Sequence, residues 1–242
     1  RRSSGASRVF YLFRSPDSAT HESWACHGLT NGEAKMVGLI EEIQRDASTD
    51  SVSVAQLLRR MKIAASKLRL VELGEWVGHE LGGYPETLGL PEYRRLVGVP
   101  CGFSRFHGWR VMALGPDETV NRAFSVCNFS GSIAEVEAMA AKGEDVLLSF
   151  PEFLERMSIQ MNLGTEKIGI SIGHAKFVAI LSAVRDKILD WALALEEAGV
   201  TGCGMTFTQE DRSAALVVTN HIYGNNARIN HASTDSSINS SS

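Results

Sequence analysis

The sequence predicts an α+β fold, and three observations support this prediction. Apolar residues recur at helical spacing through most of residues 36–81, which predicts an N-terminal three-helix unit. Short alternating segments between residues 93 and 172 predict a small mixed or antiparallel sheet in the middle of the chain. A nearly unbroken apolar band over residues 175–198 predicts a long C-terminal amphipathic helix, and a polar tail follows it.

The three N-terminal helices are predicted over residues 36–46, 51–68 and 70–81. Ser51 or Ser53 is a suitable N-cap for the second helix, because a serine side chain accepts a hydrogen bond from the first turn. Trp76 lies within the apolar stripe of the third helix. We expect Gly82–Gly83 to end that helix and Pro85 to prevent it from resuming.

The strands are predicted over residues 93–99, 108–114, 123–129, 146–150 and 168–172. Between them, Ser132 is expected to cap one helix and Pro151 to occupy the first position of another. On the long helix, Arg185 and Asp186 point apart because they are sequence neighbours. We therefore expect Arg185 to pair with another element of the fold.

The two ends of the chain differ from the part between them. Residues 1–35 show no helical or strand period, and we expect a non-native or flexible extension there. A single domain is expected over residues 36–211, with a short helix that opens at residues 209–211. Residues 212–242 are rich in Asn and Ser, which predicts either a disordered tail or a strand that associates with identical chains.

The overall charge gives no general attraction to nucleic acid or to an anionic membrane, because the net charge of the 242 residues is −4. A local basic surface exists on the second predicted helix. Its side chains form either a solvated face or a contact for nucleic acid or phosphate. They are Arg59, Arg60, Lys62 and Lys67.

The four cysteines stand far apart and form no CxxC pair. This spacing argues against a zinc site and a disulfide scaffold, and it fits a reducing cytoplasm. No apolar run approaches the ~18–20 residues that cross a bilayer, so we expect a cytoplasmic protein without membrane contact. The motifs GxxxxGK[ST] and HExxH are absent. The sequence therefore predicts no cofactor and no metal, and it names no reaction.

The candidate site lies in the stretch 70–109, where charged residues alternate closely with aromatic ones. In a functional interpretation, Glu80, Arg94 and His107 are catalytic candidates in one polar pocket. Carboxylate, guanidinium and imidazole groups carry out acid–base and phosphate chemistry. The side chains expected to bind a ligand around them are Trp76, Tyr84, Tyr93, Arg95 and Trp109.

A structural interpretation of the same stretch stands beside the functional one. Trp76 and Trp109 would fill a core, because buried aromatic side chains commonly do so. The charged residues would form an ion pair between one of two arginines and one of two glutamates: Arg94, Arg95, Glu80 and Glu92. Sequence spacing leaves both interpretations open.

Three pieces of the chain together resemble one family. The first, residues 39–84, ends in WVGHELGGY. The second is LPEYRRLVG at residues 90–98 with HGW at 107–109, and the third, residues 180–211, begins ILSAVRDKILDW. In this order they resemble proteins that carry the AbiTii domain, a bacterial family associated with abortive infection and proposed to contain toxin-like effectors. The resemblance implies an anti-phage defence protein, and it transfers no catalytic residue.

Two hypotheses about function follow. The first is a defence effector that harms its own host cell by acting on nucleic acid or nucleotides. The second is a non-enzymatic module that senses or docks a partner in a defence system and associates with itself through the tail. The absence of a catalytic motif and the Asn/Ser-rich tail favour the second.

Overall fold

The computed structural model describes residues 37–150, 152–160, 165, 167–202 and 204–232, and it confirms the α+β class. The helices are α1 (Leu39–Ala47), α2 (Val54–Leu68), α3 (Val71–Gly82), α4 (Glu118–Ser125), α5 (Ile133–Ala141), α6 (Glu152–Gln160), α7 (His174–Glu197) and α8 (Gln209–Ala232). The strands are β1 (Arg95–Val97), β2 (Val99–Ser104), β3 (Gly108–Val111), β4 (Val126–Asn128), β5 (Val146–Ser149) and β6 (Lys167–Ile172). A short 3-10 helix over Glu92–Arg94 precedes β1.

The predicted three-helix unit is confirmed as α1, α2 and α3. Ser53 caps α2, because its Oγ accepts a hydrogen bond from the backbone N–H of Gln56 at 3.2 Å. Helix α3 ends at Gly82, as predicted. The apolar stripes of α1 and α2 are buried, and both helices pack against α7. None of the helices in the described ranges has an apolar stretch that could cross a bilayer.

The four-stranded sheet has the order β3-β2-β6-β5, and every neighbouring pair is antiparallel. The remaining strands, β1 and β4, form a separate antiparallel pair. Ile168, Ile170 and Ile172 of β6 are buried in the main core with helix α7. Because side chains alternate along a strand, Gly169 and Ser171 belong to the opposite face of the sheet.

Two strand predictions need correction. The segment 93–99 is not one strand, because its residues divide between the 3-10 helix, β1 and β2. The strand predicted over 123–129 is also wrong at its start. Asp117 accepts hydrogen bonds from the N–H groups of Thr119 and Val120 and so caps α4, which continues to Ser125 and leaves only β4 extended.

Helix α7 is the centre of the main core, and its apolar band is buried as predicted. Its Arg185 binds the turn between α1 and α2. The guanidinium donates to the carbonyls of Asp46 at 3.1 Å, Thr49 at 2.6 Å and Val52 at 2.6 Å. Arg185 thus pairs with another element, and it supplies donors to carbonyls at the end of α1 and in the turn that follows it, where the helical hydrogen-bond pattern has stopped.

The prediction of a strand or disordered tail is wrong for residues 212–232, which belong to α8. Ala215 is fully buried, and the Thr219 hydroxyl accepts a hydrogen bond from Trp191 Nε1 at 3.0 Å. Packing on α7 outweighs the weak helix propensity of Asn and Ser. The expected domain end at residue 211 therefore falls inside a helix. Residues 233–242 and the extension predicted over 1–35 lie outside the described residues, and self-association through the tail stays a prediction.

Candidate functional site

Five of the predicted site residues meet in one buried network. We define the buried network as Trp76, Glu80, Tyr84, Tyr93 and Arg94. Helix α3 contributes the first two, at positions four apart on one face, and Tyr84 follows two residues after the helix end. The 3-10 helix brings Tyr93 and Arg94 to the same place.

The centre of the buried network is an ion pair between Glu80 and Arg94, and both side chains are fully buried. Arg94 Nη2 lies 2.5 Å from Glu80 Oε2, and Arg94 Nε lies 3.4 Å from Oε1. The hydroxyls of Tyr84 and Tyr93 donate to Oε1 at 2.7 and 2.6 Å. Trp76 Nε1 donates to the Tyr93 hydroxyl at 3.2 Å. Both carboxylate oxygens of Glu80 therefore have protein donors.

Arg94 also binds the backbone between β4 and α5. Its Nη1 donates to the carbonyl of Gly131 at 2.7 Å and to that of Phe129 at 3.3 Å. Two backbone hydrogen bonds reinforce this junction, from the Phe129 N–H to the Arg94 carbonyl and from the Tyr84 N–H to the Ser130 carbonyl. The guanidinium therefore joins α3 to the start of α5.

The surroundings keep both tyrosines of the buried network protonated. Burial raises the pKa of Tyr84 and of Tyr93 well above its ordinary value, and the negative charge of Glu80 raises each further. Each hydroxyl therefore remains a donor to Glu80. The carboxylate, held by an arginine and two phenols, is arranged as a structural anion, and a substrate could reach it only if the network opened.

The structure does not bring His107 to this network, so the predicted pocket of Glu80, Arg94 and His107 is not formed. His107 is exposed in the turn between β2 and β3, and no hydrogen bond or ion pair joins it to Glu80 or Arg94 among the described residues. Arg95 is exposed at the start of β1, opposite Asn128. Catalytic or ligand-binding roles for all these residues stay predictions.

Trp109 also lies away from the buried network. It pairs with Phe103 across β2 and β3, and their ring centroids are 5.5 Å apart. The indole is 41% exposed, so the prediction that Trp109 fills a core is wrong. The structural interpretation is correct for the pairing of Arg94 with Glu80. Trp76 is partly buried against the core.

A groove of about 290 Å³ runs along the hairpin of β2 and β3. His107 and Arg110 line it, and Arg110 Nε donates to the His107 carbonyl at 3.3 Å. Ser104 and Thr165 supply hydroxyls at the same groove. The groove therefore combines one cation, an imidazole and the Ser104 hydroxyl, while the Thr165 hydroxyl oxygen is buried in its wall, and the first three groups suit an anionic ligand.

Sequence reasoning missed two parts of this arrangement. The carbonyls of Phe129 and Gly131 carry no side-chain signal, so the acceptors of Arg94 Nη1 were not predictable from residue types. The second part that was missed is the groove along the β2–β3 hairpin, and the composition of the sequence contains a signal for it. Residues 93–116 contain four arginines and neither Asp nor Glu.

The described residues contain no group of three or more His, Cys, Asp or Glu side chains arranged to hold a metal ion. The two cysteines described, Cys101 and Cys127, are both unpaired thiols. Burial raises the pKa of each thiol. A raised pKa disfavours the thiolate, which is the form that ligates metals and attacks substrates.

Comparison with known proteins adds the family. No protein with a curated description and no solved structure matches the chain. The family model of AbiTii matches residues 38–220, a range that includes the buried network, the β2–β3 hairpin and the first half of α8. The match covers most of the chain and contains every described side chain of the candidate site. The chain therefore belongs to the AbiTii family.

Proposed function

We propose that this chain is a bacterial abortive-infection defence protein and that it works as a toxin-like effector on nucleic acid or nucleotides. The family match over residues 38–220 carries the proposal, because the name of the family refers to abortive infection. The effector activity is our extension of that name to a mechanism.

The geometry favours the β2–β3 hairpin as the part that meets a ligand. His107 and Phe106 are exposed in its turn, and Arg110 lines the adjacent groove. The buried network favours a structural role, because Glu80 and Arg94 are both fully enclosed. A mutation in the hairpin can therefore test ligand contact without breaking the core.

The test is inducible expression of the full chain in a bacterial host, with and without phage challenge. Growth, phage yield and the integrity of bulk RNA and DNA are measured for the wild type and for His107→Ala. We expect the wild type to lower phage yield or host growth and His107→Ala to weaken this effect. The matched control is His221→Ala, since His221 is exposed on α8, away from the hairpin in sequence.

The possible outcomes distinguish a failure of the proposed function from a failure of the role given to the hairpin. A soluble wild-type chain that changes neither host growth nor phage yield would contradict the proposed function. An equal loss in His107→Ala and His221→Ala would contradict a special role of the hairpin. Glu80→Ala is a poor first variant, because it leaves the Arg94 guanidinium buried without its carboxylate and reduces the amount of folded protein.

A second candidate is a non-enzymatic module that docks or oligomerises. It is favoured by α8, where Leu216 and Val217 are exposed apolar side chains on a helix packed against the core. Truncation after Asn220 retains Thr219 and its bond to Trp191. If the tail drives association, this truncated chain will sediment as a smaller species than the full chain. An unchanged assembly state would rule out residues 221–242 as the associating segment, and association would then be sought at Leu216 and Val217, which this truncated chain retains.

A further inference from the structure

We propose that one face of the four-stranded sheet, together with the tip of the β2–β3 hairpin, binds single-stranded nucleic acid. We call this surface the open face. The proposal deepens the proposed function by naming a ligand class and a site, and it rests on that function only for its biological role. The side chains that carry it are Phe103, Arg105, Phe106, Trp109, Val111 and Lys167.

The strand register fixes which side chains share the open face. Phe103 is paired with Trp109 on β3 and with Lys167 on β6. Directly paired residues in antiparallel strands point to the same side of the sheet. Trp109, Phe103 and Lys167 therefore form one row across three strands, with two aromatic rings beside one ammonium group.

The open face is exposed although it is apolar. Trp109 is 41% exposed and Val111 is 72% exposed. The opposite face carries Ile168 and Ile170, which are buried in the main core. An exposed aromatic and aliphatic surface of this kind marks a binding site more often than a random surface does.

Gly169 on β6 lies beside the indole on this face. A Cβ atom at this position would lie 3.5 Å from Cη2 of Trp109, 3.3 Å from Leu147 Cδ1 and 2.8 Å from the Leu148 carbonyl. A side chain at residue 169 would therefore collide with the Leu148 carbonyl, whereas its Cβ would make an ordinary van der Waals contact with the Trp109 ring. The edge of the Trp109 ring therefore reaches across β2 to β6, and the exposed part of the residue is available for stacking.

The charges around the open face complement a phosphate backbone. Residues 93–116 contain no Asp or Glu, so no carboxylate from this segment lies among the aromatic side chains. Lys167 stands at one end of the aromatic row, and Arg105 is exposed in the hairpin turn. The next residue, Phe106, is 84% exposed and adds a third ring at the tip.

This combination selects single-stranded nucleic acid over other partners. Unpaired bases stack on aromatic rings, whereas the bases of a duplex are already stacked on each other. An apolar protein partner would use the rings but would gain nothing from the adjacent cations. Base stacking beside neutralised phosphates uses both features of the open face.

The test measures binding by the purified full chain. Fluorescence anisotropy is recorded with labelled single-stranded DNA and RNA of about 12 nucleotides and with a duplex of the same length. We expect the single strands to bind at least about tenfold more tightly than the duplex, with affinity falling as salt rises. Equal affinity for the duplex, or no binding at low salt, would overturn the proposal.

Three variants locate the site. Trp109→Ala is expected to weaken binding about tenfold through the loss of stacking. Lys167→Glu is expected to weaken it severalfold and to flatten the salt dependence. The matched control is Lys62→Glu, which makes the same charge change on the basic surface of α2, where Lys62 is exposed. All variants are first compared with the wild type by circular dichroism to establish folding.

The Lys62→Glu control distinguishes binding at the open face from binding at the basic surface of α2. If Lys62→Glu weakens binding as much as Lys167→Glu, the open face is not the site and the proposal fails. If purified wild-type protein binds no single strand while the expressed chain still lowers phage yield, the open-face proposal fails and the proposed function stands. If binding is lost in Trp109→Ala and phage yield is never affected by the wild type, the proposed function fails and the open face stands.

Discussion

Arg94 makes bonds in two directions, to Glu80 on one side and to the backbone before α5 on the other. Arg94→Met removes the cation and leaves a buried carboxylate that has lost its partner. We expect the free energy of unfolding to fall by about 3–5 kcal/mol, measured by urea denaturation. The double variant Glu80→Gln/Arg94→Met should lose less free energy of unfolding than the two single variants lose together, because no unpaired charge is left in the core when both charged groups are removed. Additive losses would contradict a coupled pair.

The two tyrosines of the buried network give the stability of the protein a predictable dependence on high pH. Their pKa values are raised in the folded state, so the folded chain keeps protons that the unfolded chain releases above pH ~10. The free energy of unfolding is therefore maintained below pH ~10 and falls as the pH rises further, by up to about 1.4 kcal/mol per pH unit for each tyrosine. Urea denaturation between pH ~9 and ~11 measures the slope. Tyr93→Phe should reduce it, and an unchanged slope would contradict the assignment.

Several members of the buried network could be predicted from the sequence, but the burial of the network could not. Trp76 and Glu80 are four residues apart on one helix, which predicts that they share a face. The sequence also offered Arg94 as a partner for Glu80. Whether that pair lies in a surface pocket or in the core depends on contacts with β4 and α5, and residue spacing contains no information on them. The position of His107 away from Glu80 and Arg94 could not be read from residue spacing either, because it depends on the length of the β2–β3 hairpin.

At the scale of elements, the start of α5 supports Arg94. Ser132 Oγ accepts from the Glu135 N–H, and Glu135 accepts from the Ser132 N–H, which forms a capping box. The box begins one residue after the Gly131 carbonyl that receives Arg94 Nη1. Ser132→Ala is expected to lower the free energy of unfolding by about 1 kcal/mol in urea denaturation.

The control for this prediction is Ser66→Ala, in the exposed part of α2. Alanine favours a helix interior, so this variant should stay within about 0.5 kcal/mol of the wild type. Equal effects of Ser132→Ala and Ser66→Ala would show that the cap contributes nothing beyond helix propensity.

Elements with a local signal were predicted well, and elements decided by distant contacts were not. Ser53 and Ser132 mark helix starts that the structure confirms. The strand predicted over 93–99 is interrupted at Gly98, where a Cβ atom would collide with Ile172 and the Ser171 carbonyl. The chain passes so close to β6 there that β1 and β2 enter different sheets. Gly98 itself is a local signal of such an approach, because a glycine inside a strand pattern often marks a place where another backbone comes close, but residues 93–99 do not identify β6 as that neighbour.

At the scale of the whole molecule, α8 belongs to the folded domain. Truncation after Asp211 removes Ala215 and Thr219 and leaves the Trp191 N–H without its acceptor. We expect a loss of roughly 2–4 kcal/mol in the free energy of unfolding. Truncation after Ile222 keeps both contacts and should cost less. Equal stability of the two truncated chains would show that α8 adds nothing to the core.

The α+β class was predictable because its main determinants are long periodic segments. The stripes of α1, α2 and α7 extend over many residues and are buried as their spacing indicates. The helical tail was not predicted, because the chain from Asn220 onward is rich in Asn and Ser, whereas a few small residues before Asn220 decide the packing of the helix. Ala215 and Thr219 fit against α7, and that fit is invisible without the partner helix.

The hydrogen bonds from Arg185 to the α1–α2 turn have a consequence for the order in which the chain folds. Arg185 follows Asp46, whose carbonyl it binds, by 139 residues. On the ribosome, α1 and α2 emerge long before the helix against which they pack, so their apolar stripes have no native surface to cover them. We expect the domain to close late, after α7 has been synthesised, and the nascent N-terminal half to be a client for chaperones until then.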